Sequence, residues 1–211
     1  MNDNFCVFLD AGHGGVDPEG NYTTAPGKQY QHNSGGFHNG GWFYEGVWNR
    51  HLMAKVQEKL QRLGIAFIPV YHDYLDFPLS YRVEQANWYF RNYRRGIFVS
   101  AHANASGVNA RGFELYTSPG VTASDRIANY MYEEVEDLLG DRIVMRQDLS
   151  DSDYDKEARF YVLVRTVMPA ILVEHLFFDN INDARLLMDE EVVDRFAEAQ
   201  IRTIIRYINT L

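Results

Sequence analysis

Two histidines and two glutamates stand where apolar runs end or begin: His13, Glu45, His102 and Glu174. Two imidazoles and one carboxylate with an open fourth position make a catalytic zinc set. A further carboxylate beside the bound water serves as general base and then as acid. Residues 5–15 read FCVFLDAGHGG, an apolar run suited to a buried strand, followed by His13 among glycines. The glycines are expected to let the backbone turn sharply and to leave the imidazole unobstructed. His102 follows the apolar run GIFVSA, and Glu174 terminates AILV. Open α/β sheets place their chemistry at such C-terminal strand ends. Glu45 lies three residues before Trp48, at the start of an apolar helical stripe. Spacing alone leaves two readings open: a metal site gathered by the fold, or unrelated turn residues with Glu45 favoured by its helix dipole. Burying Glu174 at the end of an apolar run is costly unless it is paired, hydrogen-bonded or near a cation.

The elements that must position these residues follow from periodicity. Residues 45–63 carry Trp48, Leu52, Val56, Leu60 and Leu63 on one helical stripe, closed by Gly64 as a C-terminal glycine. Residues 65–70 read as a strand that Pro69 marks as an edge or an end. A second helix is expected over 78–93, with Leu79, Val83, Ala86 and Phe90 inward, and a buried strand over 96–101. Residues 112–117 alternate as a strand, 125–138 form an amphipathic helix, and the acidic stretch 141–157 reads as surface loop. Residues 160–164 are expected as a short strand, 170–173 as the last buried strand, and 190–208 as the closing helix. Residues 16–44, rich in Gly, Asn, Tyr and His, have neither period and read as a long aromatic loop lining a cleft. No linker divides the chain. It is expected to be a single α/β domain, residues 1–211, with a mostly parallel central sheet and helices on both faces.

Composition narrows the function classes. The 211 residues are 46% hydrophobic and 23% charged, ordinary for a globular domain large enough to bury a core. A net charge of −9 argues against nucleic acid, whose phosphates need clustered Lys and Arg. No apolar run is long enough for membrane insertion. The start Met1-Asn2-Asp3-Asn4 has no basic leader, and no secretory signal is visible. The single Cys6 cannot form an intramolecular disulfide and reads as a small buried hydrophobe. A monomer is expected.

The strings DAGHGG with His13, SAHANA with His102 and PAILVE with Glu174, together with the helix-opening Glu45, resemble the zinc-dependent N-acetylmuramoyl-L-alanine amidases of amidase family 3. The motifs occur in family order from about Phe5 to Ile208, and Leu79…Arg82…Gln85-Ala86-Asn87 is similar to the helix preceding the second histidine. The resemblance implies that His13, Glu45 and His102 bind Zn2+ and that Glu174 activates the water. It implies cleavage of the amide between the lactyl group of N-acetylmuramic acid and the first L-alanine of the peptidoglycan stem peptide. Asn104 and Arg165 match family positions near the site and are assigned to substrate contact or support of the ligands.

The chain also departs from the family pattern. Its insert between His13 and Glu45 is long, and the residues Pro26-Gly27-Lys28, Phe43-Tyr44-Glu45 and Asn49-Arg50 look like those of phage endolysins. A phage lysin would remain in the host cytoplasm until released to the cell wall. His32 and His38 in the insert offer alternative ligands, and His175 is placed to tune Glu174. Two other functions use the same residues or fold: a zinc peptidase or carboxypeptidase acting on the stem peptide, and a non-catalytic cell-wall-binding module. The presence of all four site residues argues against the module.

Overall fold

A computed structural model of the chain describes residues 4–24, 26–33, 35–150 and 153–211. Residues 1–3, on which the reading of a missing leader rests, and residues 25, 34, 151 and 152 in the two loops lie outside the described residues. Six strands form one sheet: β1 (Phe5–Ala11), β4 (Ala66–Pro69), β5 (Arg95–Asn104), β6 (Glu114–Thr117), β7 (Lys156–Glu157) and β8 (Ala170–Phe177). Their order is β4-β1-β5-β8-β6-β7. All neighbours run parallel except β6 against β8. This is the mostly parallel α/β architecture expected from the sequence. Pro69 closes β4, an edge strand, where its missing N–H costs no ladder bond.

Strand alternation divides the sheet into two faces. Val7, Leu9, Ile97, Val99, Ile171 and Val173 point to one face. It is covered by α1 (Glu45–Leu63), α3 (Ala123–Leu139) and α6 (Glu190–Ile208). Trp48, Leu52, Val56 and Leu60 of α1 are buried there, as the stripe predicts, whereas Leu63 at the helix end is exposed. Gly64 closes α1 at φ 66°, in the left-handed region. On the opposite face Cys6, Phe8, Phe98, Ala170 and Leu172 pack against the shorter helices α2 (Leu79–Phe90) and α4 (Tyr161–Arg165). Helix α5 (Ile181–Leu187) follows β8 directly. Among the described residues no helix is long and apolar enough to cross a membrane.

Several local expectations change. Leu79, expected inward on α2, sits at the first position of the helix and is half exposed, and β5 and β8 continue past His102 and Glu174 to Asn104 and Phe177. Residues 160–164 lie mostly in helix α4 rather than a strand: Val162 and Leu163 are buried in succession, as one helix face packed on α2 allows and strand alternation does not. The long loop contains a 3-10 turn (Pro26–Lys28) and a two-stranded antiparallel ribbon, β2 (Gln29–Gln31) with β3 (Trp42–Tyr44). Tyr22 ties it to the start of α1. Its hydroxyl accepts from Gly46 N at 3.0 Å and donates to Lys28 O at 3.0 Å, and its ring stacks on Tyr44.

Candidate metal centre and catalytic site

The register of the sheet puts three rows of side chains on the α2/α4 face. Phe8, Phe98 and Ala170 form the first row, and Asp10, Ser100 and Leu172 the second. In the third, His102 is level with Glu174 of β8, and Glu174 with Glu114 of β6. Gly12 abuts the His102 ring so closely that a Cβ at Gly12 would occupy the imidazole's space. Gly12 N also donates to Ala101 O at 3.0 Å. The apolar floor therefore gives way to polar groups at one level across neighbouring strands.

His13 reaches this row from a strained turn. Its φ of 65° is in the left-handed region, rare for a residue with a Cβ and held only where the surroundings over-determine it. Two guanidiniums do so: Arg50 Nη2 donates to His13 O at 2.7 Å and Arg82 Nη2 at 3.0 Å. Arg82 also forms a buried ion pair with Asp10 and donates to Ala11 O, while Arg50 donates to Gly46 O and His72 O. The turn thus resides in the histidine, not in Gly12, Gly14 or Gly15, none of which has a left-handed φ. Clearance is what the glycines supply. Gly46, in the first turn of α1, likewise has no room for a Cβ beside the Gly14 carbonyl.

Glu45 comes from the opposite direction, at the first position of α1, and is buried. Its Oε1 is 2.9 Å from His102 Nδ1 and 3.3 Å from His13 Nε2. One ligand-capable atom each from His13, Glu45 and His102 lies within 4.8 Å of the others. Burial opposes ionisation of Glu45, yet contact with His102 and His13 outweighs it and holds the carboxyl down at about 2. Burial lowers the pKa of His13; at His102 burial also acts downward, but Glu45 prevails and the net shift is upward. His13 Nε2 and Glu45 Oε2 are buried without a hydrogen-bond partner among the described residues. Buried polar atoms are rarely left so. Two imidazoles, one ionised carboxylate and two unpartnered atoms converging on one point fit a zinc ion. Lys28 extends from the loop to within 3.9 Å of Glu45 Oε2.

Glu174 stands beside the set, and its Oε2 is also buried without a partner among the described residues. Burial pushes its carboxyl up to about 7; the charge of Glu45 adds to this, while His102 and Lys28 oppose it. A carboxyl in that range can take up and return a proton near neutral pH. Asn104, two residues beyond His102, joins the neighbourhood by donating to Glu114 Oε1 at 2.9 Å. The structure does not bring Arg165 to the others. It is exposed at the end of α4, with its carbonyl accepting from Asn87 and its guanidinium over the Tyr161 ring.

The remaining histidines have other partners. His32 Nε2 is 2.9 Å from Phe178 O, and His38 Nδ1 accepts from Tyr44 N at 2.8 Å. His175 points to the face opposite Glu174, among Trp48, Phe113 and Phe196, with its ring nitrogens at His102 O and Gln200. It cannot touch the base; strand alternation turns consecutive side chains apart. Sequence reasoning also missed how Arg50 and Arg82 act, because their targets are backbone carbonyls.

The family model for N-acetylmuramoyl-L-alanine amidases, Amidase_3, matches residues 7–206. The chain belongs to this family. It is 34% identical over 131 residues to N-acetylmuramoyl-L-alanine amidase CwlM of Bacillus licheniformis, covering 62% of this chain and 46% of that protein. It is 28% identical over 208 residues to an endolysin of Bacillus phage SPP1, covering 96% of this chain and 66% of the endolysin. The chain thus spans less than two thirds of the length of these relatives. Among solved structures, N-acetylmuramoyl-L-alanine amidase AmiC2 of Nostoc punctiforme superposes with a TM-score of 0.74 at 26% identity, covering 99% of both chains.

Proposed function

We propose that the chain hydrolyses the amide joining the lactyl group of N-acetylmuramic acid to L-alanine of the stem peptide, using zinc held by His13, Glu45 and His102. The observation that carries this reading is one sheet row with a converging ligand set and, beside it, an unpaired carboxylate raised to about 7. Bound there, zinc supplies Lewis acidity and a water with a pKa of roughly 7. Glu45 brings the negative charge of the ligand set, and burial restricts its rotamers. Arg50 and Arg82 hold the His13 backbone so that its imidazole is pre-oriented. Glu174 takes the proton from the attacking water at a carboxylate oxygen and passes it to the departing L-alanine nitrogen. Between the apolar floor of Phe8 and Phe98 and the third row, Ser100 Oγ donates to Asp10 Oδ2 at 2.7 Å and Arg82 pairs with Asp10, so the donors beneath the site are already engaged.

The likeness to the SPP1 endolysin over most of the chain supports a lysin that acts on the wall after release from the host cytoplasm. The test is product analysis of digested peptidoglycan by mass spectrometry. An amidase leaves intact stem peptides with a free L-alanine amine and a glycan whose lactyl groups carry free carboxylates. Release of D-alanine alone, or of fragments cut within the peptide, would establish the peptidase reading instead.

A further inference from the structure

Beyond Glu174 the third row ends in a charge arrangement that the hydrolytic chemistry does not use. Glu114, only 3% exposed, accepts from Asn104 Nδ2 at 2.9 Å, Tyr116 Oη at 2.8 Å, Arg146 Nε at 2.5 Å and Lys156 Nζ at 2.6 Å. Two cations meet one carboxylate on a chain whose net charge is −9, with Asp148 the further acid that feels the charge of Lys156. Neutralising Glu114 needs only one of them. Both side chains are pinned on one side and open on the other. Arg146 has its guanidinium carbon 5.3 Å over the Phe177 ring, and the Lys156 ammonium is 5.8 Å from the Tyr116 ring. Their side chains are 38% and 27% exposed. Arg146 Nη2 has no partner among the described residues, and Lys156 uses one of its three ammonium donors. A guanidinium edge and an ammonium held this way suit a carboxylate.

We propose that Arg146 and Lys156 form a subsite for a carboxylate carried by the stem peptide one or two residues beyond the cleaved amide. The direction follows from the row. The metal-ligand set lies toward β1, the proton-transferring Glu174 on β8, and the cation pair toward β6. The leaving nitrogen must lie beside the group that protonates it, so the peptide departs over Glu174 and continues toward β6. The distance agrees. Adjacent strands are about 4.8 Å apart, and an ion-pair hydrogen bond adds about 2.8 Å, whereas extended peptide advances about 3.3 Å per residue. The second stem residue is the one in reach. Its α-carboxylate is free when that residue is D-glutamate and absent when it is the carboxamide form. Arg146 and Lys156 are therefore specificity-determining residues for the free acid.

This inference rests on the amidase reading and is tested with paired ligands. Muramoyl tripeptides with an amidated C-terminus carry the second residue either as the free α-carboxylate or as the carboxamide. Zinc-loaded wild-type protein is expected to cleave the acid with a KM about tenfold lower, and Lys156→Gln and Arg146→Gln each to bring the ratio of the two KM values toward one. Calorimetry with the corresponding free tripeptides, which need no cleavage, should show the same preference in wild-type binding. Equal wild-type KM values and equal binding overturn the subsite while leaving the amidase reading intact. Preferential binding of the acid without release of L-alanine amine from either substrate supports the subsite and overturns the amidase reading. Variants that weaken acid and carboxamide equally, with a lowered melting temperature, assign the two cations a purely structural role and overturn it as well.

Discussion

The two faces of the sheet begin alike and end differently. On the α1/α3/α6 face, β1, β5 and β8 contribute apolar residues along most of their length, with His175 an exception near the end of β8. On the α2/α4 face the same strands change character over two successive rows: Phe8 gives way to Asp10 and Phe98 to Ser100, and one row later Ser100 is followed by His102 and Leu172 by Glu174. One face is built for stability, with its large side chains buried in one continuous cluster. The other carries buried groups that cost stability, including a strained His13 and a carboxylate without a hydrogen-bond partner on one oxygen. A fold can carry such groups on one face because the other supplies the hydrophobic stabilisation.

Changing a residue on either face tests this division. The largest effect is expected from His102→Ala, which removes a proposed ligand without touching the apolar face. Zinc measured by mass spectrometry of the metal should fall far below one per chain, and kcat/KM should drop about a thousandfold or more. The metal-free protein should lose stability as well, because His102 is one of the two contacts that hold the buried Glu45 carboxylate ionised. Phe196→Ala acts in the opposite sense. Phe196 is fully buried against Trp48, Phe113 and His175, and its loss should cost about 3–5 kcal/mol in denaturant unfolding. Below its unfolding transition the variant should still bind zinc stoichiometrically; loss of zinc from folded Phe196→Ala would show that the faces are not separable.

Arg50→Gln sharpens the comparison by loosening the His13 turn from behind. It removes donors to His13 O, His72 O and Gly46 O, and zinc affinity should weaken about 10–100-fold, as when the support of a ligand is lost. Unchanged affinity would mean that the strained turn holds itself. A smaller effect separates the two faces by pH. The carboxyl of Glu174 is raised in the folded protein, so between the usual glutamate range and about 7 the native state binds more protons than the unfolded one. Stability of the metal-free protein should therefore decline as pH rises through that window. Glu174→Gln should abolish this decline and be more stable at pH 8 by on the order of 2 kcal/mol.

What was legible in the sequence follows the same boundary. Apolar periodicity revealed the first face and the mostly parallel α/β class, because those residues have a uniform environment, but it ended two strands too early: β5 and β8 run on past His102 and Glu174 to Asn104 and Phe177. It also drew attention to His13, Glu45, His102 and Glu174, each of which interrupts or opens an apolar pattern. The left-handed φ of His13 had no signal, since any residue between glycines looks free to turn. Arg146 and Lys156 lie in an acidic stretch without a period, and their meeting at Glu114 depends on strand register. Arg50 and Arg82 were visible as residues, but what they hold is main chain, which leaves no side-chain partner to find.

Glu174 as the proton-transferring group beside a separate ligand set is tested most directly by its isosteric variant. Zinc content and release of free L-alanine amine from peptidoglycan are measured together on Glu174→Gln and wild type. One zinc per chain is expected in both, with hydrolysis lost in the variant. Full hydrolysis by Glu174→Gln would contradict that role.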